Sequence, residues 1–70
     1  MRIYKVKYED GELKTRKMVG KGHFVNGGTK ICTKCVLTTG DLIEVGGKIA
    51  IVTGYKEVGK EKQYSLRDIS

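Results

Sequence analysis

Residues 1–18 read MRIYKVKYEDGELKTRKM, two alternating stretches of chain on either side of Asp10-Gly11. Asp-Gly between alternating apolar and polar residues is a strong local signal for a two-residue hairpin turn, because both central positions of that turn need positive φ. A two-residue loop there sets Tyr8 against Leu13, Lys7 against Lys14, Val6 against Thr15 and Lys5 against Arg16. One face then carries Tyr4, Val6, Tyr8 and Leu13, and the other carries Lys5, Lys7, Lys14 and Arg16. Like charges directly opposite each other destabilise an antiparallel pair, by about 1 kcal/mol for unit charges ~4 Å apart in water. A polyanion relieves that cost, so this register predicts a face that meets an anionic partner. A three-residue loop with a bulge would shift the register and separate the four charges.

The rest of the chain has the same texture. Ten glycines and no proline cut it into short apolar runs, none of which keeps a 3.6-residue period long enough for a helix. Strands are predicted over 3–8, 13–19, 30–37, 42–45, 48–55 and 63–66. Between them lie Asp10-Gly11, the glycine-rich stretch 20–28, Thr39-Gly40-Asp41, Gly46-Gly47 and residues 57–60. Six short strands with tight turns predict an all-β fold: a small SH3-like barrel of five or six antiparallel strands, in one domain spanning 1–70. Residues 67–70 read as a polar tail, at most a single 3₁₀ turn.

The second hairpin is the predicted centre of the core. With Gly46-Gly47 at its turn, Val45 faces Lys48, Ile43 faces Ala50 and Leu42 faces Ile51, while Ile49 and Val52 make the outgoing strand apolar on both faces. Burial on two sides fits a closed or nearly closed barrel. Residues 40–52, GDLIEVGGKIAIV, resemble the opening of KOW-type and other SH3-like barrel modules, where Gly-Asp precedes an alternating apolar strand, a glycine turn and a second apolar strand. Ala50 stands where such motifs place a second glycine. The resemblance implies a small, strongly bent barrel and a role in binding RNA, DNA or a protein of the transcription or translation machinery.

A chain of 70 residues makes one domain that buries only about 60% of its unfolded surface, which leaves no room for an enzyme's deep pocket. Fourteen Lys and Arg against eight Asp and Glu give a formal charge of +6. An excess of that size on so small a body favours anionic partners, nucleic acid being the commonest, although it also serves solubility. No stretch approaches the ~18 apolar residues of a membrane span, and the first residues lack the apolar core of a signal peptide. A cytoplasmic monomer with no membrane partner is the expectation.

The candidate sites follow from these patterns. Lys5, Lys7, Lys14 and Arg16, extended by Arg2, Lys17 and Lys21, would touch phosphates and so bind without reading bases. Four such contacts predict a slope of about −3.6 in log affinity against log salt for duplex DNA and about −2.8 for a single strand. The plainer reading is a solvated strand face whose lysines discourage edge-to-edge pairing. Tyr4 and Tyr8 share the face opposite the lysines and are expected in the core with their hydroxyls at the rim. The stretch GKGHFVNGG, 20–28, lacks the Gly-Lys-Ser/Thr ending and following helix of a phosphate-cradling loop. It reads instead as a flexible binding loop carrying Lys21, His23, Phe24 and Asn26, with Phe24 either stacking on a base or capping the open end of the barrel; Asn26-Gly27-Gly28 also suits a plain turn.

Cys32-Thr-Lys-Cys35 has the spacing of half a zinc knuckle. A structural zinc needs four ligands, and one chain offers two thiols and His23, so only two molecules sharing a metal could complete the set. A redox dithiol normally opens a helix that lowers its pKa, and this segment reads as extended. On a regular strand, positions three apart point to opposite faces, making one cysteine buried and one exposed. The structural reading of both thiols is therefore preferred, with no cofactor, and zinc at Cys32, Cys35 and His23 is its alternative. One histidine and acids placed mostly in turns (Glu9, Asp10, Glu12, Asp41, Glu57) supply no acid–base pair, so no enzyme is expected. The sequence therefore predicts a small, basic, non-catalytic module that binds RNA or DNA through its first hairpin; the alternative is an interaction or inhibitory protein docking an acidic surface of the transcription or translation machinery.

Overall fold

The computed structural model describes residues 1–69. Six antiparallel strands, β1 (Arg2–Glu9), β2 (Glu12–Val25), β3 (Lys30–Thr33), β4 (Leu42–Val45), β5 (Lys48–Val58) and β6 (Glu61–Asp68), close into a barrel in the order β1-β2-β3-β6-β5-β4. The all-β barrel expected from the turn pattern is present. Its logic is two three-stranded meanders, β1-β2-β3 and β4-β5-β6, joined along two seams where β4 lies against β1 and β6 against β3.

The tight turns form where the glycines put them. Asp10 and Gly11 have φ of 54° and 78°, and Gly46 and Gly47 have 58° and 79°, the paired positive values that match the twist of flanking strands. The second hairpin has the predicted register, with Val45 on Lys48, Ile43 on Ala50 and Leu42 on Ile51. Ile3, Ile31, Leu37, Ile43, Val45, Val52 and Tyr64 form the core, and Val19, Phe24, Cys35 and Leu66 pack against it. Each aliphatic side chain fully buried there stabilises the fold by about 1.5–3 kcal/mol. The buried Tyr64 hydroxyl accepts from the Leu37 N–H at 2.8 Å and donates to the Cys35 carbonyl at 2.9 Å. It thereby ties the linker between the meanders to the sixth strand.

The first hairpin keeps its turn but not its predicted register. Beyond Tyr8 on Leu13 the ladder skips Lys14, so Lys7 pairs with Thr15, Val6 with Arg16, Lys5 with Lys17 and Tyr4 with Met18. The bulge takes Lys14 away from the position opposite Lys7, where like charges would have met, and its Nζ lies 3.3 Å from Glu12. Arg16 consequently shares the face of Tyr4 instead of opposing it. Tyr4 and Tyr8 are not core residues: Ile3 points into the barrel, Tyr4 is half-buried on the outside and Tyr8 is exposed.

Other boundaries differ as well: β5 runs on to Val58, into residues expected in a turn, and β6 begins at Glu61. The glycine-rich stretch is no flexible loop, because β2 runs on to Val25 and only Asn26–Gly28 forms a 3₁₀ turn. Gly22 sits in β2 because a Cβ there would stand 2.7 Å from the Cys32 carbonyl oxygen. β3 ends at Thr33, whose hydroxyl donates to the Lys21 carbonyl at 2.6 Å and accepts from the Cys35 N–H at 3.1 Å; that local bond turns the chain off the sheet four residues before the predicted end. β6 continues through Asp68 where a 3₁₀ tail was expected, and Ser70 lies outside the described residues.

Candidate nucleic-acid interface

Each of the four hairpin cations has a carboxylate beside it. Lys5 Nζ lies 3.4 Å from Asp41, Lys7 Nζ 3.4 Å from Glu9 and Lys14 Nζ 3.3 Å from Glu12, while Arg16 Nε donates to Glu44. The Arg16 guanidinium also lies over the Tyr4 ring, 3.8 Å from its centre, and the hydrogen bond to Glu44 is the main cause holding its pKa above the ordinary value. The cations are exposed, though Asp41 and Glu44 are half-buried, so each pair contributes little to stability and is screened by salt. They nonetheless place a negative charge next to Lys5, Lys7, Lys14 and Arg16, and among the described residues next to none of Arg2, Lys17 and Lys21. The face itself is not assembled either: Lys5 and Lys7 lie on one side of β1, Arg16 on the other with Tyr4, and Lys14 in the bulge. Lys17, opposite Lys5, has no ion pair among the described residues.

A different set of cations does converge. Phe24, Ile31 and Tyr64 point inward from β2, β3 and β6, so their neighbours along each strand point out; on β5 an irregularity between Val52 and Gly54 resets the alternation, pairing Tyr55 with Tyr64 and Lys56 with Gln63. The registers line up His23, Cys32, Gln63 and Lys56 in one row across these four strands. Lys21, Gly22, His23, Lys34 and Glu61 line a shallow cleft on one side of that row, and Lys30 and Ser65 are paired on the other. Among the described residues, Lys21, Lys30, Lys34 and Lys56 make no ion pair. Of the cations predicted to touch phosphate, this wall contains Lys21 alone, beside His23 of the predicted binding loop and Cys32 of the metal alternative; Lys30, Lys34 and Lys56 were missed. The alternation Lys30-x-Cys32-x-Lys34 was a visible signal for two of them, but Lys56 joins only through the seam between β3 and β6.

Phe24 is not a free stacking platform. It packs half-buried against the core and lies 3.1 Å from the space a Cβ on Gly46 would fill. The two cysteines are free thiols in different surroundings. Cys32 faces His23 across the β2–β3 ladder, whereas Cys35 Sγ donates to the Val19 carbonyl at 3.4 Å. Among the described residues, no group of three or more His, Cys, Asp and Glu side chains could hold a metal ion. Burial first, then the neighbouring charge of Glu61, pushes the Cys32 thiol above its ordinary value of 9.0.

Compared with protein-family models, curated proteins and solved structures, the chain finds no match in any of the three. Among the described residues no helix is long and apolar enough to cross a membrane.

Proposed function

We propose that this protein is a non-catalytic module that binds nucleic acid, in the cytoplasm, through phosphate contacts from Lys21, Lys30, Lys34 and Lys56 on the barrel wall. The observation that carries the reading is that the β2–β3–β6–β5 registers bring these four cations to one wall, where among the described residues none of them makes an ion pair, while the hairpin cations Lys5, Lys7, Lys14 and Arg16 all have carboxylate partners. A phosphate arriving at the wall displaces no internal partner; at the hairpin it competes with one. The resemblance of residues 40–52 to KOW-type modules supports the same class of partner. Contacts of this kind give affinity and orientation without base selection.

Fluorescence anisotropy with single-stranded RNA and DNA over a range of salt tests the proposal. Four phosphate contacts give a slope of about −2.8 in log affinity against log salt, and Lys34→Glu or Lys56→Glu reduces its magnitude by about 0.7 or more. Lys7→Ala leaves it near the parent value. No binding at low salt, or a slope that responds to Lys7 and Lys14 but not to Lys34 and Lys56, refutes the assignment.

A further inference from the structure

The barrel interior opens at one end into a cavity of about 220 Å³, with Phe24, Val45, Ala50 and Leu66 as its apolar lining. Lys48 and Asp68, both exposed, contribute its polar groups, and the turn at Gly27, Gly28 and Thr29 completes the rim. We infer that this cavity receives one unstacked nucleobase of the bound strand, an inference that rests on the nucleic-acid reading above.

Three features define that occupant. The volume lies below the ~300–1,000 Å³ of sites for drug-sized ligands, which suits a single flat ring and not a whole nucleotide. An apolar lining that includes an aromatic ring favours a base over a sugar, and the Asp68 carboxylate opposes entry of a phosphate. The Lys48 ammonium adds a donor for a ring-nitrogen or carbonyl acceptor, which the edge of every base carries. Continuity with the wall supplies the route: Lys30 follows directly on Thr29 of the rim, so a strand whose phosphates lie along Lys34 and Lys30 passes the opening.

The test pairs an oligonucleotide of adenines with a strand of equal length and charge built wholly of abasic sugar-phosphate units, and adds free adenosine alone. Loss of the bases lowers affinity by about 5- to 150-fold, the value of one stacked base, and adenine strands move the Phe24 ring and Leu66 methyl resonances. Equal affinity for the abasic strand, with Phe24 and Leu66 unmoved, overturns the base site while strand binding by the wall stands. If adenosine moves Phe24 but no strand binds at low salt, the cavity keeps its base and the nucleic-acid reading falls. If neither ligand moves any resonance, both fall.

Discussion

The sulfur of Cys35 occupies the space that a side chain on Gly20 would need: a Cβ at Gly20 would stand 1.9 Å from Sγ. This contact seats the linker between the two meanders against β2, next to the second irregularity in the β1–β2 ladder, where Ile3 pairs with Gly20 and Tyr4 with Met18.

Gly20→Ala is therefore expected to destabilise the protein by about 1–3 kcal/mol through overpacking. In a Cys35→Ala background, where the nearest remaining atom is the Cβ at 3.6 Å, the same substitution should cost much less, with a coupling of about 0.5–3 kcal/mol in a double-mutant cycle. Urea midpoints at constant m-value measure both. An identical penalty in the two backgrounds would show that the sulfur is not what excludes a side chain.

Tyr64→Phe keeps the ring in the core and removes the hydroxyl that serves Leu37 and Cys35. A buried N–H left without a partner costs about 1–3 kcal/mol. Hydrogen exchange of the Leu37 amide should accelerate by more than that of Ile43 or Val52. Unchanged protection at Leu37 contradicts this role for the tyrosine.

The raised pKa of Cys32 sets a direction for alkaline stability. An acid that holds its proton more tightly when folded binds more protons in the native than in the unfolded state once pH exceeds its ordinary value, so unfolding free energy falls as pH rises. The fall begins near 9.0, the ordinary thiol value, and continues toward the folded pKa. Cys32→Ser should flatten this segment of the profile, and Glu61→Gln should speed alkylation of Cys32 at a fixed pH near 9.0. A rate insensitive to Glu61 argues against that carboxylate as a neighbour of the thiol.

Deleting Lys14 should be tolerated. Thr15 already pairs with Lys7 and Leu13 with Tyr8, so the shortened strand joins two existing registers into one regular ladder. The deletion variant should retain cross-strand proton contacts between Lys7 and Thr15 and unfold within about 1 kcal/mol of the parent, the size of a single cross-strand pair term. Loss of those contacts would mean that the bulge organises the strand beyond it.

What could be read without coordinates was local, and what could not was either an insertion or a long-range pairing. Asp10-Gly11 and Gly46-Gly47 reveal themselves because few residues accept positive φ, and the β4–β5 register follows from its turn. The bulge at Lys14 has no such signature, since a bulged position can hold any residue, although the repulsion it avoids was calculable. Gly20 and Gly22 look like loop punctuation but serve close approach within a strand, to Cys35 and to the Cys32 backbone. The cationic wall was hidden because it joins residues near 30 with residues near 60 through the β3–β6 seam, which no hairpin turn announces.

That seam has a consequence for biosynthesis. Lys30–Thr33 and Leu42–Val45 each find their second neighbour in the other half of the fold, so a nascent chain carrying the first meander has Ile3 and Ile31 uncovered and a strand edge open. At a ribosomal pace of roughly 5–20 residues per second, that interval lasts a few seconds. Ring closure must wait for Glu61–Asp68 to be translated, which makes folding a late event and leaves a chain stalled before that strand prone to capture by chaperones or by another copy of itself.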